Sequence, residues 1–305
     1  NPYILAMGDK STATQRLNLA QAFNPLGLIL GLLVAQQFVL KKLQSDNIDD
    51  FSTLDVAKKV MIRTADLMVI RDPYVILGLV VIAVFVLIVG SKMPQAKDDR
   101  DMAPLSETFK SLFGNINYRN GVISQVLYVG AQIMCWTYIY QYAEAIGISS
   151  ENAANYQFIC FIIFLIGRVI GTYLLRFINS GKLLLQFSVM AGVCVLGTVF
   201  IEGIVGLYAL VGISFFMSLM FPTIYGIALE DLDEKESKIG AAGLVMAIVG
   251  GALMPKLQGM IIDLGGSGVS DTQILGVPEV NISFLLPLLC FVFIAYYGRN
   301  IANQA

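Results

Sequence analysis

The chain has 305 residues, of which 56% are hydrophobic and only 14% charged, and its mean hydropathy is +0.72. Soluble domains carry about 25% charged residues, so this composition excludes a soluble globular protein and indicates a membrane protein. The chain has no histidine, which excludes a histidine metal site and a histidine proton switch, and its formal net charge of -2 argues against a nucleic-acid partner.

Long apolar blocks follow one another along the chain. A helix that crosses a hydrocarbon core of about 30 Å needs roughly 20 largely apolar residues. The first residues, Asn1 to Met7, resemble the end of such a helix, so we expect the chain to be truncated at its front. Eight further blocks are long enough to span: Leu17–Leu40, Tyr74–Met93, Gly121–Ala145, Asn155–Ile178, Leu183–Ile201, Leu207–Leu229, Ile239–Ile262 and Ile282–Tyr297. The sequence therefore predicts an all-α polytopic membrane protein with about eight complete transmembrane helices and the end of another.

Basic residues mark one side of the predicted membrane. Lysines or arginines occur in the short connections after Met7, Ile178 and Leu229, in the segment 94–120 and in the C-terminal tail. Because positively charged loops stay in the cytoplasm, we expect this side, with the C terminus, to be cytoplasmic in a bacterial inner membrane. The one long loop of the opposite side, residues 41–73, weakens the contrast because it also carries basic residues.

A short helix is predicted inside the outer loop 41–73. The pattern Ser52-x-x-Asp55 resembles a helix-capping box, and apolar residues from Val56 onward are spaced as on one helix face. We expect this helix to lie on the outer surface.

The charged segment 94–120 divides the spans unequally, with two and a stub before it and six after it. In a carrier built from two six-span halves, residues 1–93 are the remainder of an N-terminal six-helix bundle, including the outer loop 41–73. Residues 94–120 are then a central cytoplasmic linker, and residues 121–305 are the C-terminal six-helix bundle. A little over three spans would be missing from the front.

Three carboxamides share one face of the first complete span. Asn18, Gln21 and Asn24 recur every three residues, and Pro25 follows directly. Amides are costly in a membrane helix, so they indicate either function or hydrogen bonds between helices, and the pattern alone leaves both open. As ligands they offer paired donors and acceptors that suit the vicinal hydroxyls of a sugar.

A polar and aromatic stripe follows the span after the linker. Ser124, Tyr128, Gln132, Trp136 and Tyr140 recur at four-residue steps and therefore wind slowly around the helix. Pyranose C–H faces pack on aromatic rings while sugar hydroxyls bond to amides, so the stripe predicts a sugar site. The alternative, an aromatic belt at the membrane interface, suits Tyr140 better than the mid-span Gln132.

Two prolines lie inside later spans. Pro222 stands among phenylalanines and a tyrosine, and Pro255 lies in the next span. A proline interrupts the helical hydrogen-bond ladder, which serves alternating access where the break lines a cavity and is a tolerated kink elsewhere.

Groups that carry chemistry are scarce inside the spans. Acidic residues fall at span ends, and Cys135, Cys160, Cys194 and Cys290 lie in apolar blocks without a C-x-x-C pair, so no metal or cofactor is predicted. A proton-coupled carrier without histidine needs a buried carboxyl. Either the protein is not proton-coupled, or that carboxyl lies upstream of Asn1. No catalytic cluster is visible, so we expect no enzyme.

Three stretches carry a family pattern. The first runs from Asn1-Pro2-Tyr3-Ile4 through Gly8 to residues 16–24 (RLNLAQAFN), the second combines residues 128–132 with 135–138, and the third is residues 166–172. They resemble the fourth-to-fifth-span signature, the seventh span and the end of the eighth span of the fucose permease branch of the major facilitator superfamily.

The resemblance implies the major facilitator fold, a twelve-span carrier in which two six-helix bundles rock around a central sugar site. It implies sugar transport coupled to protons, with coupling acids in the first and fourth spans, so the fourth-span acid would fall just before Asn1. Gln21 and Asn24 match cavity positions of the fifth span, and Gln132 and Trp136 match positions of the seventh. Arg168 is expected to be a structural charge that fixes the cytoplasmic gate.

We therefore expect a secondary active transporter that imports a hexose, foremost L-fucose, by proton symport with alternating access. Its partners would be the sugar, protons and the lipid bilayer, and it would act as a monomer. The predicted substrate-binding residues are Gln21, Asn24, Tyr128, Gln132 and Trp136, and the predicted structural or gating residues are Arg168, Pro222 and Pro255. A symporter for glucose, galactose or N-acetylglucosamine, a carrier without proton coupling, and an exporter stay open as alternatives.

Overall fold

The computed structural model of the protein describes residues 4–5, 8–9, 12–34, 38–39, 42–43, 54–90, 105–266, 268, 272–274 and 276–304. The described chain is predominantly helical. The helices are α1 (Ala13–Gln21), α2 (Phe23–Val34), α3 (Val56–Gly90), α4 (Leu105–Gly114), α5 (Ile116–Thr137), α6 (Ile139–Ala145), α7 (Ser150–Leu174), α8 (Ser180–Phe200), α9 (Gly203–Met217), α10 (Met220–Glu230), α11 (Glu234–Met246), α12 (Gly250–Ile262), α13 (Glu279–Ser283) and α14 (Leu285–Ala302). A hairpin of β1 (Gln273–Ile274) and β2 (Val277–Pro278) pairs antiparallel before α13.

Seven helical stretches of the described chain are long and apolar enough to cross a membrane. They are Val56–Gly90, Ile116–Ala145, Asn152–Leu174, Ser180–Phe200, Gly203–Glu230, Lys235–Gly265 and Glu279–Ala302. Each overlaps one of the predicted blocks, which confirms an all-α polytopic membrane protein. The predicted block Leu17–Leu40 is seen as α1 and α2 up to Val34, and its remaining part lies mostly outside the described residues.

The helix predicted in the outer loop and the span that follows it are one helix, because α3 runs without interruption from Val56 to Gly90. At about 1.5 Å per residue its 35 residues measure about 52 Å, whereas a hydrocarbon core is about 30 Å thick. The predicted surface helix is therefore not separate but forms the first part of α3. The position along α3 at which the membrane span begins stays a prediction. Pro73 lies inside the helix, where a proline removes one backbone hydrogen bond but does not have to end the helix. Ser52, of the predicted capping box, lies outside the described residues.

The chain forms two compact units, residues 1–26 with 102–305 and residues 27–101. In the first unit, α14 packs along α8 and α5, α9 packs along α7 and α8, and α12 packs along α5. Its core is built from large side chains that are completely buried, such as Tyr128, Met217 and Phe284. We call the side of this unit at which α14 ends the inner side and the opposite side the outer side, so α7 begins on the outer side.

The C-terminal end of the predicted linker is helical. Helix α4 is followed by Asn115, whose Oδ1 accepts hydrogen bonds from the backbone N–H of Asn117 at 2.9 Å and of Tyr118 at 3.1 Å. This cap starts α5 at Ile116, five residues before the predicted span. Leu112 of α4 is buried, and Ser111 donates a hydrogen bond to Glu236 of α11 at 2.5 Å.

Candidate functional site

The predicted stripe on α5 divides into a buried and a half-buried part. Ser124 and Tyr128 are completely buried, whereas Gln132 and Trp136 are half-buried and Tyr140 is 37% exposed. The stripe also bends, because α5 ends at Thr137 and α6 restarts after one residue. The four-residue spacing therefore brings its members to one side of the helix but gives them different surroundings.

Tyr128 lies against α10, and its hydroxyl group has no hydrogen-bond partner among the described residues. Its ring meets Phe221 edge-on, with centroids 6.2 Å apart. Neither a side chain nor a backbone group of the described residues hydrogen-bonds to the buried hydroxyl oxygen. A buried hydroxyl without a partner is costly, so this atom suits a bound polar molecule or water.

Trp136 packs inside the helix bundle. Its Nε1–H donates a hydrogen bond to Ser214 of α9 at 3.2 Å, and its ring meets Phe161 and Phe164 of α7 edge-on at 5.0 and 5.1 Å. Because the N–H already has a protein partner, only the ring is left for a ligand. The half-buried amide of Gln132, one turn earlier, forms no hydrogen bond with any described residue.

Helix α1 packs on α10 and α7 near their inner ends. Asn18 is completely buried, and its Nδ2 donates to Thr223 Oγ1 at 3.2 Å and to the Thr14 carbonyl at 2.9 Å. A Cβ atom at Gly226 would lie 2.7 Å from Thr14 Oγ1, so the two helices touch as closely as glycine allows. Asn18 was predicted only as part of an amide face, and the structure gives it the bond between helices.

A proline and a buried arginine meet at the end of α1. Pro25 has no N–H, so the carbonyl of Gln21, four residues earlier, cannot receive the usual helical hydrogen bond. Arg168 of α7 donates to that carbonyl from a guanidinium nitrogen at 3.2 Å. The half-buried Gln21 side chain and the exposed Asn24 flank this break between α1 and α2.

Arg168 is a nearly buried charge, with 3% of its surface exposed. Its guanidinium lies 5.0 Å from the centre of the Phe164 ring, a cation–π contact. Among the described residues no carboxylate forms an ion pair with it, and its Nε has no hydrogen-bond partner. A buried cation needs such compensation, so the Gln21 carbonyl and the Phe164 ring carry much of its stabilisation.

The two predicted prolines differ in their position, because Pro222 lies at a break in its span and Pro255 lies inside a helix. Helix α9 ends at Met217 and α10 begins at Met220, with Pro222 buried in the first turn, where a missing N–H costs nothing. The turn Ala247–Val249 separates α11 from α12, which contains Pro255. The Pro255 carbonyl accepts a hydrogen bond from the Tyr138 hydroxyl at 2.6 Å.

Two buried glutamines were not predicted as site residues. Gln125 of α5 is 0% exposed and Gln157 of α7 is 7% exposed, and no described residue hydrogen-bonds to either amide. The sequence holds a signal for both, since each is a carboxamide inside a predicted apolar block. Gln258, by contrast, donates to Ser283 at 2.9 Å.

Cysteines and acidic residues do not assemble a metal site in the part of the chain that the structure describes. Its four cysteines are free thiols, and all but Cys194 are buried. They pack as small apolar residues.

Comparison with known proteins identifies close relatives. The chain is 52% identical over 304 residues to the L-fucose-proton symporter of Haemophilus influenzae, which covers 98% of this chain and 69% of that protein. It is 30% identical to the L-fucose-proton symporter of Escherichia coli, over 98% of this chain and 67% of that protein. The glucose/galactose transporter of Brucella abortus is 28% identical, over 98% and 66%.

The fold has a close match among solved structures. The crystal structure of the major facilitator transporter FucP in the outward conformation superposes with a TM-score of 0.87 at 30% identity, covering 98% of this chain and 71% of that one. Residues 2–255 match the family profile of the Major Facilitator Superfamily. The chain belongs to the Major Facilitator Superfamily of membrane transporters.

Proposed function

We propose that the protein is a secondary active transporter that imports L-fucose together with protons by alternating access. The observation that carries the proposal is the 52% identity to an L-fucose-proton symporter over 98% of this chain. The protein would act in a bacterial inner membrane as a monomer with a cytoplasmic C terminus, so the inner side defined above would face the cytoplasm. It would have no enzymatic activity.

The sugar would bind between the break of α1 with α2 and the stripe on α5. Gln132 offers a half-buried amide and Tyr128 a buried hydroxyl, and no described residue hydrogen-bonds to either group. Gln21 and Asn24 add two further amides, of which the Asn24 side chain is exposed. Trp136 would contribute only its ring, because its N–H is bound to Ser214. Amides and aromatic faces together match the hydroxyls and the C–H face of a hexose.

The contact of α1 with α7 and α10 would be the cytoplasmic gate. We call it the inner gate and define it by Thr14, Asn18, the Gln21 carbonyl, Arg168, Thr223 and Gly226. Its helices meet through a glycine contact, a side-chain hydrogen bond and a charged hydrogen bond. The likeness to a transporter in the outward conformation supports a closed inner side. The helix break next to Pro222 and the turn Ala247–Val249 before the helix that contains Pro255 would let the spans bend when the gate opens.

Sugar uptake tests the proposed function. Membrane vesicles that contain the protein should accumulate radiolabelled L-fucose, and a protonophore should abolish the accumulation. Accumulation of galactose or glucose but not L-fucose would contradict the L-fucose assignment and indicate the substrates named for the Brucella abortus relative. Accumulation that ignores the protonophore would exclude proton coupling.

Substitution of the free amides tests the proposed sugar site. Asn24→Ala and Gln132→Ala should weaken sugar binding about 10-fold each, because each removes a polar contact worth about 1–3 kcal/mol. Gln258→Ala is the matched control, since the Nε2 of this buried amide already donates to Ser283 and the residue lies outside the proposed site. Sugar binding is measured by calorimetry in detergent. Wild-type affinity in both site variants would show that the two amides do not contact the sugar.

A further inference from the structure

A cavity lies on the outer side of the first unit, and its lining contains none of the residues proposed to bind sugar at the central site. It has a volume of about 440 Å³ and opens between the start of α7 and the start of α9. Its lining consists of Ile148, Asn152, Asn155, Tyr156, Ile159 and Tyr208. Ligand cavities for small molecules begin at about 300 Å³, so a monosaccharide fits this volume.

The polar side chains of this cavity have no hydrogen-bond partner in the part of the chain that the structure describes. None of the side chains of Asn152, Asn155, Tyr156 and Tyr208 forms a hydrogen bond with a described residue. The rings of Tyr156 and Tyr208 have centroids 6.3 Å apart and are tilted by 50° to each other. Two carboxamides beside two tilted rings supply hydrogen bonds for hydroxyl groups and apolar faces for C–H groups.

None of the six described lining residues carries a formal charge, and this indicates the class of ligand. An anion or a cation would have to leave water without a counter-charge, at a cost that neutral amides and phenols do not repay. A neutral polyol or sugar exchanges its hydrogen bonds with water for hydrogen bonds with these groups. The cavity therefore favours a neutral pyranose over an ionic solute.

The position of the cavity on α7 distinguishes it from an aromatic belt facing lipid. The residues of α7 at positions 155, 159, 162, 166, 169 and 173 follow helical spacing and form one exposed face. The inner end of this face, at Val169 and Tyr173, lies against Leu19 and Ala22 of the α1 region around a smaller cavity of about 140 Å³. The outer cavity thus opens on the same side of the bundle that α1 covers at the inner end.

We propose that this outer cavity is a docking site for a neutral hexose, which binds there before it reaches the central residues. We call it the outer vestibule and define it by Asn152, Asn155, Tyr156 and Tyr208. The proposal rests on the proposed function, which makes a hexose the solute that arrives from the outer side. A docking site of this kind raises the sugar concentration next to the central site and lowers the KM for uptake.

Kinetics of two variants test the vestibule. Asn155→Ala combined with Tyr208→Ala should raise the KM for L-fucose uptake about tenfold and leave the maximal rate unchanged, because saturating sugar bypasses the docking step. Val205→Ala, an exposed residue of α9 outside the cavity lining, is the matched control. An unchanged KM in the double variant would overturn the vestibule and leave the proposed function intact. Failure of the wild type to take up L-fucose would overturn the proposed function and the fucose assignment of the vestibule together.

Thiol protection tests whether the vestibule binds sugar independently of the central site. In an Asn155→Cys variant, L-fucose should slow the reaction of the new thiol with a membrane-impermeant reagent added from the outer side. The same protection should persist when Gln132→Ala weakens the central site. Loss of protection in the double variant, or its absence in the single variant, would show that sugar does not dock at the outer vestibule.

Discussion

The polar groups near the two ends of α7 differ in whether they have hydrogen-bond partners. At the inner end, Asn18 bonds to Thr223 and Arg168 bonds to the Gln21 carbonyl. At the outer end, Asn155 and Tyr208 form no side-chain hydrogen bond with a described residue. One end of the same helix is therefore closed by another helix and the other is open to a ligand.

This difference in hydrogen bonding favours a state in which the inner side is closed and the outer side is open. Buried polar groups gain about 0.5–1.5 kcal/mol from each neutral hydrogen bond and more from a charged one, so the inner gate favours closure. The outer vestibule has no such bonds that would have to break before a sugar enters. Opening of the inner gate must then be driven by differential binding of substrate to the other state.

The largest expected effect comes from filling the helix contact of the inner gate. Gly226→Val places two methyl groups where even a Cβ would be 2.7 Å from Thr14 Oγ1. We expect α1 and α10 to separate at a cost of about 3 kcal/mol or more, the upper end of overpacking penalties, and uptake to be lost. A Thr172→Cys reporter, 6% exposed beside α1, should become fully reactive to thiol reagents from the inner side.

The matched control for this prediction is Gly212→Val in α9. There the nearest atom to an added Cβ is Cys194 Sγ at 3.9 Å, so the substitution adds the same side chain without the clash. Both variants are made with Cys194→Ser, which removes the half-buried native thiol from the labelling experiment. Equal uptake and equal labelling in the two valine variants would show that the Gly226 contact does not close the gate.

The next effect comes from the buried cation of the inner gate. Arg168→Ala removes a charged hydrogen bond worth about 1.5–3 kcal/mol and leaves the Gln21 carbonyl without its donor. The population with an open inner side should rise about 10- to 100-fold, measured as the labelling rate of the Thr172→Cys reporter. Arg168→Lys retains the charge and a donor and should restore part of the closed state. A labelling rate that stays at the wild-type value in Arg168→Ala would show that this arginine does not keep the inner gate closed.

The sequence predicts features that depend on neighbouring residues better than features that depend on residues far apart in the chain. Block length and apolarity predict the helices, because burying backbone in a membrane requires helix regardless of tertiary contacts. Helix α3 is the exception, since its predicted apolar block begins only after Pro73, although one missing hydrogen bond does not outweigh a long run of helix-forming residues. Local rules therefore predict which segments are helical and misplace some of their ends.

The site is less predictable, because its hydrogen bonds connect residues far apart in the chain. Helical spacing correctly places Tyr128, Gln132 and Trp136 on one side of α5. It contains no information that Ser214 accepts the Trp136 N–H across 78 positions, or that Thr223 accepts the Asn18 amide across 205. Spacing within one helix tells which groups share a face, and only the packed structure tells which of them remain free for a ligand.

The smallest of the three gate effects comes from the proline that creates the acceptor for Arg168. Pro25→Ala restores an N–H that can bond to the Gln21 carbonyl within the helix, and this bond competes with the guanidinium without removing it. Because a carbonyl oxygen can accept two hydrogen bonds, only part of the stabilisation is lost, about 1 kcal/mol.

We therefore expect reporter labelling from the inner side to rise about fivefold in Pro25→Ala, less than in Arg168→Ala. Pro73→Ala in α3 is the matched control, since it also restores an N–H inside a helix but lies outside the inner gate. In an Arg168→Ala background the Pro25→Ala substitution should have no further opening effect, because no guanidinium is left for the new N–H to compete with. Additive opening in the double variant would mean that Pro25 acts through the helix break itself and not through the carbonyl it leaves free.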